Sequence, residues 1–277
     1  MKDNYNIQNY EFKLRPFKKE DYPEVLRLHN ILFPDHPGSE ENLRYNDKIR
    51  EKKIRFERFI WEKDNQIKAA ASFSNLSFLY HPKTFDIHIN VHPDLQGKGY
   101  GKTAYNYLIK KLKKFKPIKL FSYAYEPHKR TIRFLEDRGF KIANREKQSS
   151  LDLLKYEPNN FSSTIDRVIK NNIRVINLKE FRDEEQNADI KIWKFDSLVS
   201  PDMPFSEPIE VPKFEVYCKQ VFENPNFNPE SWFIALDREK IAGMSNLWKR
   251  KEHAGINTGF SGVHRDYRCM GIASSLK

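Results

Sequence analysis

The sequence predicts an α/β (α+β) chain of two tandem modules, on three observations. Apolar residues alternate with a period of two up to Val91, then recur at helical spacing from Tyr100, with a glycine-bearing turn between. The same order of strand, turn and helix start returns 172 positions later, Val91 lying over Val263 and Gly99 over Gly271. The length of 277 residues, with 39% hydrophobic side chains, suffices for two ordinary cores.

The first module alternates strands and helices. A short strand is expected over 12–15. Asp21 can cap a helix to about Leu32, with Pro23 in its first turn, where a missing N–H costs little. Ser39 is placed to cap a second helix, to about Lys52. Strands are expected over 56–62 and 67–73, joined by the polar turn Lys63-Asp64-Asn65-Gln66. Phe85, Ile87, Ile89 and Val91 then alternate with Asp86, His88, Asn90 and His92, a strand with two distinct faces. Tyr100, Ala104, Tyr107, Leu108, Leu112 and Phe115 form one stripe of an amphipathic helix, which Pro117 stops. A strand over 120–125 follows, then a helix with Ile132 and Leu135 on its apolar face, ending at Gly139. The final strands of this half are expected within 142–154.

A boundary falls at Glu157-Pro158-Asn159-Asn160, giving modules over 1–157 and 158–277. A connecting helix over 161–170 precedes a strand over 173–177 and a mostly helical stretch over 183–198. Pro201, Pro204, Pro208 and Pro212 interrupt the chain before a short helix over 214–222. Strands are expected over 232–236, 241–248 and 254–263, and a last helix opens near Gly271. This second copy reads as truncated after the start of that helix. Its apolar strands would be left partly uncovered unless the first module or a second copy of the chain, as a homo-oligomer, covers them.

The formal charge of +11 and a pI near 9.4 raise the question of a polyanionic partner. The densest run, Lys110, Lys111, Lys113, Lys114 and Lys116, lies on one helix and reads as its solvated face. No zinc-finger spacing or RNA-recognition signature accompanies it, so a basic nucleic-acid binder stays a distant alternative and no specific nucleic acid is expected. No metal-ligand spacing stands out. The chain has two cysteines, Cys218 and Cys269, which suits a reducing cytoplasm rather than a disulfide framework. No run of about 18 apolar residues is present, and the first ten residues are polar, so a soluble cytoplasmic protein without membrane contact is expected.

The chemistry is expected at the glycine turn. A loop between a strand and a helix start gathers free backbone N–H groups, and the helix adds about half a positive charge there. Gly97, Gly99 and Gly101 allow close approach of a phosphate. No Lys-Ser or Lys-Thr pair follows in the place a nucleotide-triphosphate loop requires, and the third glycine of a dinucleotide fingerprint is missing. The first copy reads Gln96-x-x-Gly99-x-Gly101 and the second Arg268-x-x-Gly271-x-Ala273. Both resemble the acetyl-CoA loop of the GNAT superfamily of N-acetyltransferases, Gln/Arg-x-x-Gly-x-Gly/Ala, as two tandem modules spanning nearly the whole chain.

That resemblance implies two mixed, mostly antiparallel twisted sheets flanked by helices, with acetyl-CoA as co-substrate and no metal. It implies that Val91 offers backbone groups to the pantetheine arm, that the amides of Gln96, Gly97, Lys98, Gly99, Tyr100 and Gly101 bind the pyrophosphate, and that Lys102 assists. His128 stands where the family often has Asn and is expected to take its place in contacting the cofactor, and Leu135 stands where it has the Tyr that protonates the departing thiolate. Val263, Arg268, Gly271 and Ala273 match the loop in the second copy, which is not expected to function. Loops over 33–40 and 200–228 are where the resemblance places acceptor choice.

An amine with pKa near 10.4 costs about 4.6 kcal/mol to deprotonate at pH 7, so a general base is expected. His88 and Asp86 share one face of the central strand and are the candidates; a structural histidine is the plain alternative. Cys269 has no histidine beside it to activate its thiol and reads as a bystander. The leading function is N-acetyl transfer to a small-molecule or peptide amine. The alternative is a GNAT module that binds acetyl-CoA without catalysis, as a sensor or scaffold.

Overall fold

A computed structural model describes residues 12–157, 162–204, 209, 211–249 and 255–277. The chain splits into two units, Met1–Asp137 and Arg138–Lys277. Both mix helices with one sheet, as the sequence predicts. The expected linker at 158–160, the first residue of the helix expected from 161 and the start of the strand expected from 254 lie outside the described residues.

In the first unit β1 (Lys13–Pro16), β2 (Phe56–Lys63), β3 (Gln66–Ser74), β4 (Thr84–Val91) and β5 (Lys119–Phe121) form one sheet in that order. The first four pair antiparallel; β4 and β5 run parallel. The β2–β3 hairpin turns on Asp64 and Asn65, both at positive φ, which short polar side chains tolerate. Alternate residues serve opposite faces. Ile60 and Ala70 meet Val25 and Leu28 of α1 (Tyr22–Leu32), while Phe59 and Trp61 meet Tyr107 of α3 (Tyr100–Leu112). Ala69 and Ala71, both buried, keep the sheet low where α3 lies.

Three details differ from the sequence reading. The strand expected over 120–125 ends at Phe121. Asp21 precedes α1, but its side chain does not cap it; it accepts two bonds from Arg15 (2.7 and 2.8 Å) and one from the Lys18 amide (2.7 Å). The guanidinium holds that carboxyl below the usual range, against the opposing effect of burial. Ser39 does cap α2 (Glu40–Lys48), accepting from the Asn42 amide at 3.1 Å, but the helix stops four residues early.

The second unit repeats the plan. β6 (Ile173–Asn177), β7 (Trp232–Asp237), β8 (Lys240–Lys249) and β9 (Ile256–Val263) form an antiparallel sheet in that order. The helical stretch expected over 183–198 is two helices, α6 (Leu178–Glu184) and α7 (Ala188–Val199). Asn177 and Glu180 cap α6 reciprocally, which sets its start. The short helix near 214 is α8 (Phe214–Tyr217), continued by a π turn to Phe222. Strands expected within 142–154 do not form. Ile142, Leu151 and Leu154 are exposed there, because β-favouring residues without a partner strand make no ladder.

The strands of the second sheet are not left bare, contrary to expectation. Leu178 and Phe181 of α6 and Ile192 and Phe195 of α7 pack with Trp232, Ile234 and Leu236 in one core cluster. Ala235 and Ala242 meet Val168 of α5 (Ser162–Lys170) and Ile272 of α9 (Ile272–Ser275) in another. A helix as short as α9 is unstable alone, and α5 with Gly243 gives it a seat: a Cβ at Gly243 would lie 2.8 Å from Ile272 Cγ2. Ile272→Ala should therefore lower stability by about 2–4 kcal/mol, read from the denaturation midpoint of the second unit. A change below about 0.5 kcal/mol would show that α9 is not part of that core.

Candidate active site

The loop after β4 is closed by its own side chains. The Val91 carbonyl accepts from the Gln96 side-chain amide at 3.1 Å, and His92 Nδ1 accepts from the Asp94 amide at 3.4 Å. Gly97 and Gly99 then take φ of 80° and 91°, where any other residue would crowd its own backbone. Gly99 stands at the N-cap of α3. As a result the amides of Gly97, Gly99, Gly101 and Lys102 donate to no described residue, and Gly97, Lys98 and Gly99 are exposed. Four unpartnered donors at a helix head form a site for an anion. α4 (Lys129–Glu136) stands over this loop: a Cβ on Gly101 would meet the Phe134 ring at 3.4 Å, and one on Gly97 would meet Arg130 Nη1 at 3.7 Å. Arg130 was not singled out in the sequence; its proximity depends on the packing of α4.

Beside the loop the sheet opens. β4 and β5 pair only at Thr84↔Lys119, Phe85↔Leu120 and Asp86↔Phe121. Ser122 Oγ donates to the Ile87 carbonyl at 3.0 Å, and β4 then runs on to Val91 without β5 beside it.

The two candidate bases meet at that opening. His88 Nε2 lies 2.5 Å from Asp86 Oδ2. Asp86 is 5% exposed, and its Oδ1 has no hydrogen-bond partner, whereas the His88 side chain is half exposed. Burial pulls the imidazole pKa down, but the hydrogen bond and charge of Asp86 outweigh it, and the net shift is upward. His29 of α1 shifts the other way, by burial and in small part by the nearby charge of His88.

Rings from α1, from the chain just after it and from the segment before α4 form one group. His29 lies 5.0 Å from Phe33, Phe33 lies 5.6 Å from Tyr125, and Tyr125 stacks on His36 at 5.3 Å. The His128 ring joins this group, 5.7 Å from Tyr125 and 5.9 Å from Phe33. His128, expected from the sequence as a cofactor contact, lies at the start of α4 with its ring in this group, and Phe33 and His36 fall in the loop expected to choose the acceptor.

The second copy of the loop has the same shape and a different lid. Arg268 Nε donates to the Val263 carbonyl at 3.3 Å, as Gln96 does to Val91, and His264 Nδ1 accepts from the Asp266 amide at 3.2 Å. Cys269 and Gly271 take φ of 64° and 88°. Here, however, Thr164 of α5 sits against the turn: a Cβ on Gly271 would lie 2.9 Å from its Cγ2. Asp202 pairs with both Arg265 and Arg268, the latter at 2.5 Å, and the arginines hold its carboxyl far below the usual range. Ala273 lies exposed on α9.

Residues 24–140 match the family model described as acetyltransferase (GNAT) family. That segment, less than half of the chain, is similar to the GNAT acetyltransferases. Solved structures similar in fold include a GCN5-related N-acetyltransferase from Sphaerobacter thermophilus, 15% identical, with a TM-score of 0.63 over 96% of this chain and 80% of that one. A tandem GNAT protein from the clavulanic acid biosynthesis pathway is 13% identical, with a TM-score of 0.63 over 96% of this chain and 83% of that one. A glucosamine N-acetyltransferase region of a fungal multi-domain β-N-acetylglucosaminidase is 13% identical, with a TM-score of 0.64 over 96% of this chain and 33% of that one. No curated protein matches the sequence. Both units therefore have the GNAT fold. Among the described residues no helix is long and apolar enough to cross a membrane.

The difference between the two glycine loops gives a stoichiometry. With α5 on Gly271 and Asp202 on both arginines, titration calorimetry with acetyl-CoA should find one site per chain. Two equivalent sites would mean that α5 and Asp202 do not guard the second loop.

Proposed function

We propose that this protein transfers the acetyl group of acetyl-CoA to an amine, with the first unit as the catalytic one. The observation that carries this reading is the set of four unpartnered amides at the head of α3, placed where β4 and β5 part. The amides of Gly97, Gly99, Gly101 and Lys102 would hold the pyrophosphate, with the Lys102 and Arg130 side chains adding positive charge; contrary to expectation, the Gln96 and Lys98 amides are spent within the turn, on the Pro93 and Leu95 carbonyls. The pantetheine arm would run along the unpaired edge at Val91, and His128 would border the acceptor side. When bound, acetyl-CoA supplies the acetyl group as a thioester.

The chain's own part is to hold the amine and take its proton. Asp86 engages Nε2 of His88, which leaves Nδ1 as the free acceptor. The buried carboxylate also stabilises the imidazolium once the proton arrives. An oriented imidazole at the mouth of the opening has no use in a module that only binds, and it favours catalysis over a sensor or scaffold. Leu135 offers no proton to the leaving sulfur, so that proton comes from the amine or from solvent.

Three outcomes test this. Acetyl-CoA at about 100 times its dissociation constant should stabilise the wild type by about 2.7 kcal/mol, and Gly99→Val should abolish that gain without unfolding the chain. His88→Gln should lower kcat by about 10²-fold or more with acetyl-CoA affinity unchanged. Because Asp86 raises the His88 pKa, the base is protonated at low pH and the rate should climb as pH rises through the raised value. Asp86→Asn removes the raising cause and should move that limb of the pH–rate profile to lower pH; a limb that stays in place would exclude His88 as the base.

A further inference from the structure

The first unit covers its rings with its own cations. Arg44 sits 4.2 Å above Tyr22, Arg50 3.8 Å above Phe56, Arg55 4.8 Å above Phe115 and Arg58 4.6 Å above Phe17. Among the described residues no arginine or lysine lies over Phe33, His36 or Tyr125, although Tyr125 is 42% exposed. In a chain with 49 basic residues, this is a ring platform left uncapped. Asp35 and Glu126, next in sequence to His36 and Tyr125, are exposed and have no described ion pair. Deeper in, Asp86 keeps one buried oxygen without a partner.

Ring faces with no described arginine or lysine over them, in a unit that also holds the buried Asp86 carboxyl, suit a ligand that is aromatic at one end and cationic at the other. A carboxylate on the ligand would find no arginine or lysine over these rings to receive it. A polyamine would find no use for the stacked faces. We propose that the acceptor is an arylalkylamine: an aromatic group that packs on Tyr125 and Phe33, joined by a short aliphatic link to a primary ammonium delivered to Asp86 and His88. This rests on the acetyl-transfer reading. In the reaction the nitrogen bonds to the acetyl carbon and the carbon–sulfur bond breaks. Of the two protons the ammonium gives up, one passes to His88 Nδ1 and the other neutralises the departing thiolate.

The test is equilibrium binding by calorimetry on the full chain, with and without CoA, using 2-phenylethylamine, n-butylamine and phenylalanine as probes. Phenylethylamine should bind at least tenfold more tightly than either comparator. Tyr125→Ala should erase that advantage while leaving butylamine unchanged, and Tyr125→Phe, which keeps the ring, should retain it. Equal binding of the three probes, tighter binding of phenylalanine, or a preference that survives Tyr125→Ala would overturn the proposal. The stabilisation of the same protein by acetyl-CoA separates the two readings. If it is present without a ring preference, the acceptor assignment alone is wrong; if it is absent, the acetyl-transfer reading itself is wrong.

Discussion

The parallel ladder between β4 and β5 lasts three residue pairs, and the candidate site depends on its ending there. Had the pairing continued, the backbone edge of β4 from His88 to Val91 would be covered. Instead the chain after Phe121 leaves the sheet and carries Tyr125 and His128 towards Phe33. The opening exposes an imidazole whose partner, Asp86, sits at the last paired position and is therefore buried. One half of the dyad is fixed inside the sheet and the other is free to meet a ligand. A strand that stops early thus sets both the access and the electrostatics.

The strand and loop were legible because their signals are local. The alternation from Phe85 to Val91, the stripe from Tyr100 to Leu112 and the spacing of Gln96, Gly99 and Gly101 each follow from the backbone geometry of one short stretch. The pairing of Asp86 with His88 followed from the same two-residue period. The ring platform was not legible in this way, since His29 and Phe33 on one side and Tyr125 and His128 on the other come from segments far apart in sequence and meet only through the fold. The start of α6 could have been read, as Asn177 and Glu180 have the spacing of a capping box. The failed strands after Ile142 show the opposite case: apolar residues can favour extended chain and still find no ladder to join.

The two loops separate conformation from use. Gln96 and Arg268 differ in chemistry, yet each side chain bonds the carbonyl of the strand's last valine and closes the same turn. Cys269 even keeps a left-handed φ that suits glycine, at a cost of order 1 kcal/mol. What differs is the surroundings. Gly99 is exposed, while Gly271 lies under Thr164 and its arginines are held by Asp202. A shared motif in sequence is therefore a statement about backbone shape, and the neighbours decide whether that shape is open to a ligand.

The bond from Gln96 to the Val91 carbonyl has a kinetic meaning. A loop that closes on its own side chain already points its amides at one place, so capture of an anion involves no slow folding of the loop around it. The encounter is then governed by diffusion and by the field of a chain with a formal charge of +11. Such an encounter is fast at low ionic strength and slows as salt screens the field, while the lifetime of the complex is left to the short-range contacts within the turn.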